Sequence, residues 1–209
     1  MKKPGTIRVL VADDHPIVCM GLAAMISTQP DMALVGQAAN GREAIELFKQ
    51  HQPDITLMDL RMPECGGVEA IRAIRGFSQH GGFIVLTTYQ GDEDIHRALM
   101  AGAQAYLLKG MPHGELIQAI RSVHAGLRYL PPAVMKSLAE RAPGAELSTR
   151  ELDILRLIFK GMSNRQIAES LGITEGTVKW HINIILSRLN VSDRTQAVVT
   201  ALQRGIVEF

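Results

Sequence analysis

Ile55-Thr56-Leu57-Met58-Asp59-Leu60-Arg61-Met62-Pro63 is an apolar run that ends in a carboxylate, with a Met-Pro turn soon after. The run is short and apolar on both faces, as a buried strand of a parallel sheet is. Asp59 then falls at the strand's carboxyl end, where open α/β sheets place their chemistry. Upstream, Ile7–Ala12 reads as a similar strand closed by Asp13 and Asp14. Leu34–Ala38, Phe83–Thr87 and Ala105–Leu108 read as three more. Between them lie helical patterns: Pro16 to Ser27 with Ile17, Met20, Leu22, Met25 and Ile26 on a broad apolar stripe, then a helix capped by Asn40, Val68–Ile74, Glu93–Ala101, and about His113 to His124. Five strands alternating with five helices predict βαβ units around one parallel sheet. With right-handed crossovers, the flavodoxin-like order 2-1-3-4-5 is the commonest arrangement that fits.

In that order the first and third strands are neighbours, so Asp13, Asp14 and Asp59 share one crevice. Thr87, ending the fourth strand, and Lys109, just after the fifth, flank it. Three clustered carboxylates repel one another unless a cation neutralises them. An oxygen-only cluster in a wet crevice suits Mg²⁺, whose octahedron waters and a phosphate can complete. A lysine and a hydroxyl opposite supply donors for phosphoryl oxygens. The set predicts phosphoryl transfer to a carboxylate, with Asp59 as the in-line nucleophile.

Composition is consistent with a soluble intracellular protein. The 209 residues carry a formal net charge of +1, which names no partner. Cys19 and Cys65 read as reduced thiols rather than a disulfide framework. No stretch approaches the ~20 apolar residues of a membrane span, and the expected compartment is the cytoplasm.

Residues 125–145 change texture, with Gly126, Pro131-Pro132 and Pro143-Gly144. They read as a linker holding a short helix, Ala133–Arg141, between a first domain of residues 1–124 and a second of 146–209. In the second domain only helices are expected. Ser148 and Glu151 form a capping box, and Gly161 ends that helix. Ser163 starts a short helix closed by Gly172, and Thr174 caps a longer one with Val178, Ile182, Ile185 and Leu189 inward. A last helix spans about Asp193 to Arg204. The tight turn Leu171-Gly172-Ile173-Thr174 makes a helix-turn-helix. Charges of the two signs nearly balance over residues 143–209, so DNA binding would depend on local placement of Lys179, Arg165 and Arg188.

Particular residues sharpen both halves. Asp13-Asp14, Asp59 with Met62-Pro63, Thr87 and Ala105-Tyr106-Leu107-Leu108-Lys109 resemble the receiver domain of two-component response regulators. Leu147 to Glu151, Gly161 to Ala168, Thr177-Val178-Lys179-Trp180-His181 and Arg194 to Ala197 resemble the LuxR-type four-helix DNA-binding domain. Receiver followed by LuxR-type domain is the NarL/FixJ layout.

The resemblance implies that Asp59 accepts a phosphoryl group from a sensor histidine kinase. It implies Mg²⁺ held by Asp14, Asp59 and the Arg61 carbonyl, with Asp13 acting through water. Thr87 and Tyr106 would be switch residues, and Lys109 would bind the phosphoryl group. Thr177, Lys179, Trp180 and Asn183 would meet double-stranded DNA, and Thr195, Val198, Val199 and Leu202 would form the surface of a phosphorylation-dependent homodimer. Two departures from the receiver pattern stand out: Gly110 follows Lys109 where many receivers have proline, which leaves the peptide's isomer open, and Gly66 replaces a common acidic residue. The competing readings are a constitutive DNA-binding protein whose receiver only dimerises, and a Mg²⁺-dependent phosphohydrolase.

Overall fold

A computed structural model describes residues 5–88, 91–139 and 147–207. Five parallel strands form one sheet: β1 (Ile7–Ala12), β2 (Met32–Ala38), β3 (Ile55–Met58), β4 (Gly82–Thr87) and β5 (Ala105–Leu108). Their order is β2-β1-β3-β4-β5, as expected. β1 lies between β2 and β3, with Ala12 beside both Ala38 and Met58 in register. The last residues of β1 and β3 are thus level, and the chain leaves both strands at the same end of the sheet. The helices are α1 (Pro16–Ser27), α2 (Gly41–His51), α3 (Gly67–Arg75), α4 (Asp92–Ala101) and α5 (His113–His124). Alternate residues of the strands (Val9, Val11, Ile55, Leu57, Ile84, Ala105 and Leu107) pack with Cys19, Leu22 and Ile26 of α1 and with Leu116, Ile120 and Val123 of α5.

The expected stripe on α1 holds only in part. Leu22 and Ile26 are buried, but Ile17 and Met20 are 85% and 70% exposed. Apolar residues surround so much of this helix that its pattern did not single out one face.

Close packing fixes the approach of α3 to β3. A Cβ on Gly67 would stand 2.0 Å from the Asp59 carbonyl oxygen and 2.9 Å from Met58 Cγ. The Gly67 N–H donates to Leu60 O at 2.9 Å. Backbone atoms cannot yield to a methyl group as a flexible side chain can. Gly67→Ala is therefore expected to lower unfolding free energy by about 2–3 kcal/mol, as overpacked sites do. Urea denaturation checks this, with Gly114→Ala as control, because nothing lies within 4 Å of a Cβ there. Equal midpoints for the two variants would refute the packing argument.

The chain divides into two compact units, one of residues 1–89 and 95–135, the other of 90–94 and 136–209. Helix α6 (Pro132–Ala139) follows α5, starting one residue before the expected Ala133. Its expected end at Arg141 lies outside the described residues. In the second unit come α7 (Thr149–Phe159), α8 (Asn164–Leu171), α9 (Glu175–Leu189) and α10 (Arg194–Gln203). Ile154, Leu155, Ile158, Ile167, Val178, Ile185, Leu189 and Ala201 form their common core. Ile182 packs against it only partly buried. Among the described residues, no helix is long and apolar enough to cross a membrane.

Candidate functional site

At the carboxyl ends of β1 and β3 the acidic residues meet. Asp13 and Asp59 are 3% and 4% exposed, positions that carboxylates seldom occupy without partners. Lys109, entering from the end of β5, supplies one: its Nζ lies 2.7 Å from Asp13 Oδ2 and 2.6 Å from Asp59 Oδ2. Burial alone would lower the lysine's pKa, but hydrogen bonds to Asp13 and Asp59 outweigh it and hold the ammonium above the ordinary lysine value. The second oxygen of Asp59, Oδ1, accepts the Leu60 N–H at 2.7 Å. Asp59 is thereby held at both oxygens, directly after a strand that cannot shift without breaking the sheet.

Asp14 is less enclosed, with its side chain 32% exposed. Its Oδ1 is nevertheless a buried atom with no hydrogen bond. His15 Nδ1 lies 2.7 Å from that oxygen, a close contact whose angles do not make a hydrogen bond. The same ring nitrogen is 3.1 Å from Asp13 Oδ1, which also accepts the His15 N–H at 3.0 Å. His15 is thus a fourth member of the cluster, and sequence reading missed it. Its only signal there was adjacency to Asp13-Asp14, which does not say where an exposed ring points.

Thr87 ends β4 fully buried, and its carbonyl accepts the Lys109 N–H at 2.7 Å. That bond ties the lysine's backbone to the threonine's strand. Arg61 follows Asp59 in the same loop, half-buried. Tyr106 is 0% exposed, more enclosed than a half-buried strand residue. The Lys109–Gly110 peptide is trans, and Gly110 takes φ +99°. Burial, then the Asp13 charge, pushes the Cys19 thiol up, so it remains protonated. Cys19 and Cys65 are both free.

In the second unit, caps shape the helix-turn-helix. Ser163 and Gln166 form a capping box at α8, and Gly172 closes that helix with φ +64°. This left-handed conformation is one that glycine adopts without steric cost. The Thr174 hydroxyl accepts the Thr177 N–H at 3.1 Å and starts α9. Behind the turn, Arg194 Nη1 donates to Asn164 Oδ1 at 3.1 Å, and its Nη2 donates to the Met162 carbonyl. Arg150 Nη2 reaches Leu171 O at 3.0 Å. These bonds hold α8 from both sides.

Val178, Ile185 and Leu189 of α9 point inward. Lys179, Trp180 and Asn183 are exposed, and Thr177 is half-buried. Trp180 is 60% exposed, its ring edge-on to His181 at 4.8 Å between centroids. A large aromatic left open among polar neighbours marks a contact surface better than a core position.

The other residues expected at DNA have partners of their own. Arg165 pairs with Glu169 one turn on, at 3.1 Å, both well exposed. Arg188 Nη1 lies 2.6 Å from Oε2 of the buried Glu151. On α10, Thr195 and Val199 are exposed, whereas Val198 and Leu202 lie partly buried against the domain core.

Comparison with known proteins agrees with this geometry. Residues 9–121 match the response regulator receiver domain, and residues 145–201 match the bacterial regulatory proteins of the luxR family. The response regulator protein VraR of Staphylococcus aureus is 40% identical over 208 residues, spanning 97% of this chain and 100% of VraR. The crystal structure of ChrA, a response regulator of a heme-sensing two-component system, is 36% identical and has a TM-score of 0.58. It covers 97% of this chain and 100% of ChrA. A structure of the RcsB–DNA complex shares the fold, with a TM-score of 0.71 at 22% identity over 95% of this chain and 98% of RcsB. An acidic crevice at the strand ends of a five-stranded parallel sheet, joined to a capped helix-turn-helix, places this chain among the two-component response regulators of the NarL/FixJ type, with a receiver domain and a LuxR-type regulatory domain.

Proposed function

We propose that the protein is a transcription factor of the cytoplasm whose sequence-specific binding to double-stranded DNA is switched by phosphorylation of Asp59. The observation that carries this reading is the grip on Asp59: one oxygen on the Leu60 amide, the other on Lys109. A sensor histidine kinase is the phosphodonor. The phosphorus–nitrogen bond of its phosphohistidine breaks, and a phosphorus–oxygen bond to Asp59 forms.

The Asp13–Asp14–Asp59 cluster fits a hard divalent cation, because Asp14 Oδ1 is buried without a donor and every carboxylate oxygen there is a hard ligand. Asp14, Asp59 and the Arg61 carbonyl would hold Mg²⁺, with Asp13 reaching it through water. When bound, the ion draws charge from the phosphoryl oxygens. Lys109 does the same from the opposite side, so developing negative charge meets a preset cation instead of reorganising water. The Thr87 hydroxyl bonds the phosphoryl group, and Tyr106, on the neighbouring strand β5 in register with Val85, packs behind. A change at two adjacent strand ends is the kind of local event that shifts a two-state element.

The chain works as a regulator rather than as an enzyme turning over free substrate. On DNA, Lys179, Trp180 and Asn183 meet base edges in the major groove, as the early residues of a recognition helix do. Asn183 can read adenine through its amide, and Trp180 can lie against thymine methyls. Thr177 and Arg165 serve the phosphates, and Arg188 serves DNA binding by bracing α9 through Glu151. Thr195, Val198, Val199 and Leu202 form the homodimer surface, and half-sites stand ~10 bp apart.

The test is DNA affinity for a selected operator at fixed salt, with and without a small-molecule phosphodonor and Mg²⁺. A gain of about tenfold or more is expected, corresponding to about 1.4 kcal/mol of coupling. Asp59→Ala should lose the gain and keep the fold. Unchanged affinity, with phosphorylation confirmed by mass, would overturn the switch.

A further inference from the structure

His15 is the one member of the acidic cluster with no part in the function proposed above. Its ring nitrogen Nδ1 lies 2.7 Å from Asp14 Oδ1 and 3.1 Å from Asp13 Oδ1. Two donors at neighbouring corners of an octahedron with bonds of ~2.1 Å stand ~3.0 Å apart, so the nitrogen and Asp14 Oδ1 already have about the spacing of ligands to one ion. One ligand atom from each of Asp13, Asp14, His15 and Asp59 falls within 4.8 Å of the others. The 2.7 Å contact does not satisfy Asp14 Oδ1, which has no hydrogen bond although it is buried. An unsatisfied carboxylate oxygen beside an imidazole nitrogen is an arrangement that a cation between them would complete.

We infer that His15 is a nitrogen ligand of the receiver's divalent cation, so that this site prefers a borderline metal such as Mn²⁺ over Mg²⁺ more strongly than carboxylates alone would. The inference rests on the reading of the Asp13–Asp14–Asp59 cluster as a cation site. Imidazole contributes little to Mg²⁺, which keeps to oxygen, and more to first-row transition metals. The ring is 65% exposed, so it can turn toward an ion without disturbing the core. With Nδ1 facing the metal, its proton resides on Nε2, which faces solvent. The preference has a regulatory consequence: the metal that supports phosphorylation depends on the available Mn²⁺ as well as on Mg²⁺.

The test uses the full chain loaded with one equivalent of Mn²⁺ and read by electron spin echo modulation, which detects a directly bound ¹⁴N. A nitrogen signal is expected in the wild type, displaced by excess Mg²⁺ and absent in His15→Ala. In calorimetric competition the Mn²⁺-over-Mg²⁺ affinity ratio should fall about tenfold in His15→Ala, the lower end of what losing a site-shaping partner costs. His15→Ala leaves Asp59, Asp14 and Lys109 in place, so Mg²⁺ binding persists as an internal control. Mn²⁺ that Mg²⁺ displaces but that shows no nitrogen signal would overturn the inference and leave the cation site standing, as would equal weakening of both metals in the variant. Mn²⁺ that Mg²⁺ does not displace, bound equally well by Asp59→Asn, would overturn the cation site and the inference with it.

Discussion

Lys109→Met is expected to slow phosphoryl uptake at Asp59 by at least about a hundredfold, the usual cost of losing one preset charge-stabilising donor, and yet to tighten Mg²⁺ binding. The two effects have opposite signs because the ammonium has two roles. Toward the transferring group it is a preset positive charge. Toward a metal ion it is a competitor, since it already holds Asp13 Oδ2 at 2.7 Å and Asp59 Oδ2 at 2.6 Å. Two unit charges ~4 Å apart interact by about 4 kcal/mol at an effective dielectric of ~20, so removing one cation should strengthen another by about tenfold or more. Acetyl phosphate labelling read by mass, together with calorimetry for Mg²⁺, measures both. A variant that phosphorylates normally, or binds Mg²⁺ no better, would show that the lysine does not serve this site.

The same ion pair sets a pH dependence. Hydrogen bonds to Asp13 and Asp59 raise the folded-state pKa of Lys109 above its ordinary value despite the opposing effect of burial. A raised lysine contributes stability that is fully present below the unfolded value of ~10.4 and is lost as pH rises through the folded one. Urea midpoints of the wild type should therefore fall more steeply above about pH 10.4 than those of Lys109→Met. Around neutral pH this group gives no slope in either protein.

Much of this site was readable before the structure because βαβ topology is restrictive. Once β1 and β3 are neighbours, any acid directly after each strand must meet the other. Asp13 and Asp59 did so with only strand ends and handedness as input. Where side-chain direction mattered, sequence was silent. His15 is adjacent to the cluster in the chain, but its rotamer brings it in. Tyr106 lies on a strand whose alternate residues, Ala105 and Leu107, pack with α1 and α5, so its burial depends on what covers the opposite face. Ile17 and Met20 read as core because apolar residues nearly encircle α1. Arg188 and Glu151 are 37 positions apart, beyond any local spacing rule, and Glu151 was legible only as the third residue of a capping box.

Glu151 makes the second large prediction. Its Oε2 accepts the Ser148 N–H at 2.8 Å and faces Arg188 Nη1 at 2.6 Å, while its own N–H reaches Ser148 Oγ at 3.4 Å. One buried carboxylate, 4% exposed, therefore caps α7 and ties it to α9. Glu151→Ala removes the reciprocal half of the cap, worth about 1 kcal/mol, and leaves Arg188 without this partner. Breaking a buried pair costs about 3–5 kcal/mol, but Arg188 is 37% exposed and water recovers part of that. The expected loss is thus about 2–3 kcal/mol in all, read as a lower urea midpoint for the second unit. Glu151→Gln keeps an acceptor for Ser148 and should lose about half as much. The pair also bears on how Arg188 serves DNA. If Arg188 acts by bracing α9, Arg188→Met lowers stability and leaves the salt dependence of DNA binding unchanged. A direct phosphate contact would instead reduce the slope of log K against log salt by about 0.9. We expect the unchanged slope, because the guanidinium's short bond to a buried carboxylate aims it at the core rather than at the groove.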